Sequence, residues 1–228
     1  KDQTLGIWNA RKFEYPDSDE PKRDLWLSDD SNELYFWRQS RDHHRVEVCV
    51  ADAATGKHRV LFKEELNTYV ETQPLEHLDS GDLLWWSERD GWAHLYRYGA
   101  DGLLKNRLIE GAWSVRRIVG IDEVSDAVYL MANARDPEED LYYQHLYRVN
   151  LDGSGVQLLD PGNFDHRVQM GEANRFFVSN YSRVDTPPAT VLYATDGSKV
   201  VDLEEADFSQ LMAAGYEFPE PYAVKAAD

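Results

Sequence analysis

Six consecutive residues, Ser87-Glu88-Arg89-Asp90-Gly91-Trp92, place a hydroxyl, two carboxylates, a guanidinium and an indole in one short stretch. Such a set could hold a ligand by charge and hydrogen bonds. Turn chemistry explains the same residues without one, and is preferred. Asp90-Gly91 makes the bend, Arg89 pairs an acid, and Trp92 packs between structural elements. Three adjacent acidic pairs, Glu64-Glu65, Glu138-Glu139 and Glu204-Glu205, are expected from 42 acidic residues. The first and last read most simply as solvated loop residues. Asp42-His43-His44 could suggest a metal, but it has no i,i+4 His pair and no Cys partner, and Arg41–Arg45 reads as a charged hairpin tip. Asp17-Ser18-Asp19-Glu20 resembles part of a calcium loop but lacks the following Gly and distal Glu. No metal site and no cofactor are expected. Asn180-Tyr181-Ser182 is a glycosylation sequon, a tripeptide that also arises by chance. Cys49, the single cysteine, sits where a strand places leucine, so a buried structural thiol is expected.

Composition excludes some partners. The 228 residues carry a formal net charge of −18, a surface that repels phosphate and disfavours nucleic acid and anionic membranes. No apolar run approaches the roughly 18 residues of a membrane span. One cysteine allows no intrachain disulfide. Neither end has signal-peptide or tail character, which reads as a fragment of something longer.

The elements that must position these residues are short strands. Glu33–Trp37, Leu83–Trp86, Ala127–Met131 and Arg175–Val178 are aromatic-rich runs bounded by turn residues, suited to a half-buried pleated surface. A second run follows each and ends in a Gly turn: Val46–Val50 to Gly56, His94–Tyr98 to Gly102, His145–Val149 to Gly153, and Val191–Tyr193 to Gly197. Those glycines are 46, 51 and 44 residues apart, and the aligned Tyr35, Leu84, Tyr129 and Phe177 are 49, 45 and 48 apart. Two markers therefore give one period. A further strand follows each turn (Arg59–Phe62, Asn106–Ile109, Val156–Leu159, Lys199–Leu203), and a leading strand precedes each unit (Asp24–Leu27, Gln73–Leu78, Arg116–Ile121, Arg167–Met170). Four strands per repeat of this length predict an all-β chain of β-propeller blades. The repeats fall near 24–62, 73–109, 116–159 and 167–203 within a partial propeller over 1–206. Four blades of a larger ring is preferred to a closed four-bladed ring, and a β-sandwich of evenly spaced hairpins is the alternative. Asp207–Gly215 predicts a short helix, and 207–228 a helix and stiff linker leading out of the propeller.

Trp85-Trp86-Ser87-Glu88-Arg89-Asp90-Gly91-Trp92-Ala93-His94-Leu95-Tyr96 resembles the W-x-S-E-R-D-G-W-x-H-L-Y signature of the dipeptidyl peptidase IV N-terminal propeller. That propeller is the non-catalytic domain of prolyl oligopeptidase family serine peptidases. Asn67–Glu71 and Tyr181–Pro188 are similar to bacterial members, and Gly215–Pro221 resembles the link into the family's catalytic domain. WD-repeat proteins match less well, since the chain contains no Trp-Asp dipeptide.

The resemblance implies an α/β-hydrolase domain, absent from this stretch, whose Ser sits in a G-x-S-x-G elbow. The chain has no such motif. Leu151-Asp152-Gly153-Ser154-Gly155 comes nearest and reads as a hairpin turn. No catalytic residue is therefore assigned, and the chain alone is expected to be inactive. Family members grip the substrate's amino group with adjacent Glu residues in a D-W-x-Y-E-E context, since an ammonium needs charge-assisted acceptors. None of the three Glu pairs here has that context. Glu64, Glu65 and Arg89 are the substrate-binding candidates. The resemblance further implies peptide substrates reached through the hydrolase domain, a homodimer of the parent, and a periplasmic or secreted location. The function expected is to gate substrate access and form part of the substrate-side wall. A stand-alone propeller binding proteins is the alternative, and a family member with a lost triad a third.

Overall fold

The structure is a computed structural model, and it describes residues 25–28, 32–220 and 222–226. Asp17–Glu20 and Asp24 lie outside these, and of Trp26 only the backbone is described. The chain divides into two compact units, Lys1–Gly111 and Ala112–Asp228.

Each unit contains two four-stranded antiparallel sheets, and each sheet follows chain order. The first sheet is β1 (Leu25–Leu27), β2 (Glu33–Gln39), β3 (Arg45–Asp52) and β4 (His58–Glu65). The second is β5 (Glu76–His77), β6 (Leu83–Ser87), β7 (His94–Tyr98) and β8 (Leu104–Arg107). In the other unit the third sheet is β9 (Ser114–Asp122), β10 (Ala127–Asn133), β11 (Gln144–Asn150) and β12 (Gln157–Leu158). The fourth is β13 (Asp165–Met170), β14 (Phe176–Arg183), β15 (Thr186–Ala194) and β16 (Lys199–Glu205). Four-stranded meanders repeated at this period are propeller blades.

The inner strands β6 and β10 are buried on both faces. All five residues of β6 and the first six of β10 are inaccessible, so an aromatic-rich run replaces alternation. In the first unit Phe62 stacks on Tyr98 at 3.8 Å and meets Trp85 edge-on at 5.8 Å. In the second, Phe177 stacks on Tyr193 at 5.2 Å beside buried Leu146 and Leu159. Cys49 is fully buried, and burial pushes its thiol up to about 11.

The turns explain the glycines. Gly102 has φ +82°, and a Cβ there would lie 2.3 Å from the Leu61 carbonyl oxygen, so the position requires glycine twice over. Gly153 (φ +89°) closes the β11–β12 hairpin, where the Asn150 N–H donates to the Ser154 carbonyl at 2.9 Å. Ser154 thus occupies a hairpin turn.

Some strand bounds differ from the sequence expectation. β5 has only two residues against the Gln73–Leu78 of the sequence reading: Pro74 lacks the N–H a ladder needs, and Leu78 already belongs to the turn, its N–H donating to the Asp82 carbonyl at 2.9 Å. β12 is likewise reduced to Gln157–Leu158. β15 begins at Thr186, five residues earlier than the apolar run, because Arg183 pairs with Thr186 across a bulged hairpin. The helix α1 covers Ser209–Ala213, preceded by an Asp207 carboxylate accepting from the Ser209 N–H at 2.8 Å. Among the described residues no helix is long and apolar enough to cross a membrane.

Candidate functional site

The Ser87–Trp92 stretch leaves the end of β6, and Gly91 (φ +85°) makes its bend, with the Gly91 N–H donating to the Glu88 carbonyl at 2.9 Å. Its Ser87 and Arg89 side chains turn inward onto a strand of the neighbouring sheet in the same unit. Glu64, on β4, is 6% exposed. Its Oε2 accepts from the Trp85 indole N–H at 2.7 Å and from Arg89 Nη2 at 2.7 Å. Its Oε1 accepts from the Ser87 hydroxyl at 2.6 Å. Arg89 also donates from Nε to Ser87 Oγ at 2.9 Å and from Nη1 to the Tyr98 hydroxyl at 2.7 Å, and lies over the Tyr96 ring at 4.2 Å. Burial works against the guanidinium charge, but its bonds to Tyr98 and Glu64 outweigh that and raise its pKa.

Asp90 closes a second arc, accepting from the Tyr96 hydroxyl at 2.6 Å and from Arg107 Nη1 at 2.6 Å. Those two bonds hold its carboxyl below the usual range, while burial and the Asp90 bond push the Tyr96 phenol up. The motif is a polar clamp joining two sheets through one buried carboxylate. The Trp85 indole, the Ser87 and Tyr96 hydroxyls and all three Arg89 nitrogens have an acceptor, as a buried network needs.

Sequence reading and structure diverge at three points here. Glu64 is a buried strand residue, not a solvated loop residue. Glu65 and Glu204-Glu205 are exposed, but they too lie on strands, β4 and β16. Trp92 is 39% exposed and is not a packing residue, whereas Trp85, Trp86 and Trp113 are buried. The expected pairing of Arg89 with an acid is present, and the acid is Glu64.

Of the three substrate-binding candidates, Glu64 and Arg89 are brought together, and Glu65 is turned away. Neighbouring residues on a strand face opposite sides, so Glu65 points outward. It lines an open polar depression of about 500 Å³ with Ser40, Asp42, His44, Arg45 and Asn67. His43 and His44 lie at the exposed β2–β3 hairpin tip, where His43 stacks on Tyr69 at 5.1 Å. A further polar cluster in the second unit, around His145, Asp160 and His166, was not picked out in the sequence. The one signal for it was His145 standing in the repeat slot of His94, before Leu-Tyr-Arg.

The fold and the clamp define a class: an all-β chain of four-stranded propeller blades whose Ser87–Trp92 turn is locked to a neighbouring blade through a buried carboxylate. Residues 22–188 match the model of the dipeptidyl peptidase IV (DPP IV) N-terminal region, and the chain belongs to that family. It is 28% identical over 138 residues to a probable dipeptidyl peptidase 4 of Emericella nidulans, covering 55% of this chain and 17% of that protein. A probable dipeptidyl peptidase 4 of Aspergillus flavus is 25% identical over 188 residues, covering 76% of this chain and 23% of the relative. The crystal structure of Porphyromonas gingivalis dipeptidyl peptidase 4 superposes with a TM-score of 0.70 at 19% identity, over 83% of this chain and 26% of that one. The chain thus spans about a quarter or less of the length of these proteins.

Proposed function

We propose that this chain is part of the non-catalytic N-terminal propeller of a dipeptidyl peptidase IV-like serine exopeptidase. In that role it gates the approach of polypeptides to a hydrolase active site and supplies part of the substrate-side wall. The observation that carries the reading is the family match across 22–188, which includes the Ser87–Trp92 clamp. The chain's own chemistry is consistent with a wall. Its nearest approach to a nucleophile elbow, Ser154, sits in a hairpin turn, and the Glu64–Arg89 pair is committed to holding two blades together. Excluding bulky chains and water benefits an acyl-transfer site by keeping competing reactions out. In this reading Glu64 and Arg89 shape the wall, and Glu65, exposed at the polar depression, is the candidate to meet a peptide's charged groups.

The natural protein containing this chain tests the proposal. Intact mass and peptide mapping should find a G-x-S-x-G motif with Asp and His after it beyond residue 228. The natural protein should release dipeptides from a short chromogenic substrate, and the 228-residue chain alone should not. The same N-terminal residues fused to a folded protein should be cleaved far more slowly than the short substrate. Equal rates on both would refute gating, and a natural protein without the elbow would refute the peptidase reading.

A further inference from the structure

The second unit buries a set of metal-ligand side chains at the junction of its two sheets. His145 lies on β11, Asp160 follows β12, and His166 lies on β13. They are 3%, 0% and 1% exposed. One ring nitrogen from each histidine and one carboxylate oxygen of Asp160 lie within 4.8 Å of one another. Asp160 Oδ1 is 3.6 Å from His145 Nδ1, and Oδ2 is 3.4 Å from His166 Nδ1. Both separations are too long for good hydrogen bonds. They are close to the edge, about 3.4 Å, of a tetrahedron whose ligands stand about 2.0–2.1 Å from a central zinc.

Two further observations point to a cation. Among the described residues, the buried Asp160 Oδ2 has no hydrogen-bond partner, and native interiors rarely leave such an atom unsatisfied. Behind the cluster, Glu139 Oε2 sits 2.9 Å from His145 Nε2. A carboxylate on the far nitrogen is what fixes the ring of a metal-ligating histidine. Two weaker contacts would give way to the ion: His145 Nδ1 is 3.2 Å from the Asp160 carbonyl oxygen, a bond it gives up when it ligates, and His166 Nδ1 is 2.9 Å from Ser179 Oγ, a further oxygen at the site. The Leu146 N–H donates to Asp160 Oδ1 at 2.8 Å and holds the carboxylate in place.

We propose that His145, Asp160 and His166 bind one divalent transition-metal ion of the zinc class, with Glu139 orienting His145. Two imidazoles and one carboxylate favour such an ion over calcium or magnesium, which take all-oxygen sets. The role is structural: the ion ties β11 and the turn after β12 to β13, joining two blades from inside. The inference stands apart from any peptidase reading.

The test uses the untagged chain, stripped with chelator and titrated with Zn²⁺ alone and with Co²⁺ alone. The expected result is one equivalent bound per chain, visible Co²⁺ bands of a tetrahedral nitrogen–oxygen site, and a melting temperature raised by Zn²⁺. Asp160→Asn should weaken Zn²⁺ by at least about 100-fold and Glu139→Gln by about 10–100-fold. Lack of saturable one-to-one binding by the wild-type chain overturns the proposal, and this measurement needs no variant to fold. Binding that persists in a folded Asp160→Asn chain, or vanishes in His43→Ala/His44→Ala, overturns it equally.

Discussion

The Glu64–Arg89 clamp gives an asymmetric prediction. The Glu64 side chain is 4% exposed and the Arg89 side chain 24%. Arg89→Met leaves the carboxylate out of water with only the Trp85 indole and Ser87 hydroxyl as donors. Removing one partner of a buried pair costs about 3–5 kcal/mol, and the two surviving donors put this case near about 3 kcal/mol. Glu64→Gln leaves a guanidinium that keeps Tyr98, Ser87 and partial access to water. Its loss is one charge-assisted bond, about 1.5–2 kcal/mol. The order should therefore be Arg89→Met worse than Glu64→Gln. The double variant should fall short of the sum by about 1–2 kcal/mol, because the second change removes a charge the first had stranded. The assay is urea unfolding followed by tryptophan emission. Of the 7 tryptophans only Trp113 lies beyond Gly111, so emission reports chiefly on the unit that holds the clamp. Additive costs, or Glu64→Gln equal to or worse than Arg89→Met, would refute the assignment of Glu64 as the buried member whose charge depends on Arg89.

Gly102→Ala should destabilise by more than about 2 kcal/mol, since left-handed φ alone costs a non-glycine residue about 1–2 kcal/mol and the new Cβ meets the Leu61 backbone. Gly91→Ala, with a similar φ but open space around it, should cost only about 1 kcal/mol, and urea midpoints separate the two. Cys49 should resist a thiol reagent at pH 8 in the folded chain and react at once in denaturant; rapid native labelling would contradict its burial. His77 is held down to about 4 by burial, against about 6.5 when unfolded. The unfolded chain binds the extra proton between those values, so this contribution, on the order of 2–3 kcal/mol, is present above pH 6.5 and lost as pH falls towards 4. A His77→Gln chain should show a flatter urea midpoint against pH across that window; an unchanged slope would rule His77 out as the source.

The blades were legible because their signals are local. Aromatic runs, Gly turns and a repeated spacing are written along the chain, and each β-meander closes over neighbouring residues. The burial of Glu64 was also within reach. Phe62 faces inward, and period-2 alternation carried two residues further puts Glu64 inward and Glu65 outward. Ending the strand at Phe62 hid it. The His145–Asp160–His166 set has no such trace. Its members are 15 and 6 residues apart, on two strands and a turn of different sheets, and only packing of one blade on the next brings them together. Trp92 failed as a packing residue for a related reason: turn geometry, not residue type, decides which way a side chain beside a tight Gly bend points.

The acidic pairs show how much an adjacent-residue motif depends on the backbone beneath it. Two neighbouring carboxylates can grip one ammonium only if their side chains converge. A strand forbids that, because consecutive side chains leave opposite faces. Glu64-Glu65 and Glu204-Glu205 both lie on strands, β4 and β16, so neither pair can close on one cation as a pair. Glu138-Glu139 sits in the β10–β11 connection, where convergence is geometrically open, but Glu139 is bonded to His145. The Glu64-Glu65 and Glu138-Glu139 pairs thus resolve into single carboxylates with separate tasks. Glu64 binds two blades through Arg89, Glu139 orients a buried histidine, and Glu65 faces an open depression. If this chain contributes to holding a peptide amino group, it does so with one carboxylate at a time. Replacement of Glu65 by Gln in the natural protein should then raise KM for a short peptide with a free amino terminus and leave the urea midpoint unchanged. Glu64→Gln should lower that midpoint by the amount worked out above. A Glu65→Gln protein with unaltered KM would remove Glu65 from the substrate-side wall proposed above.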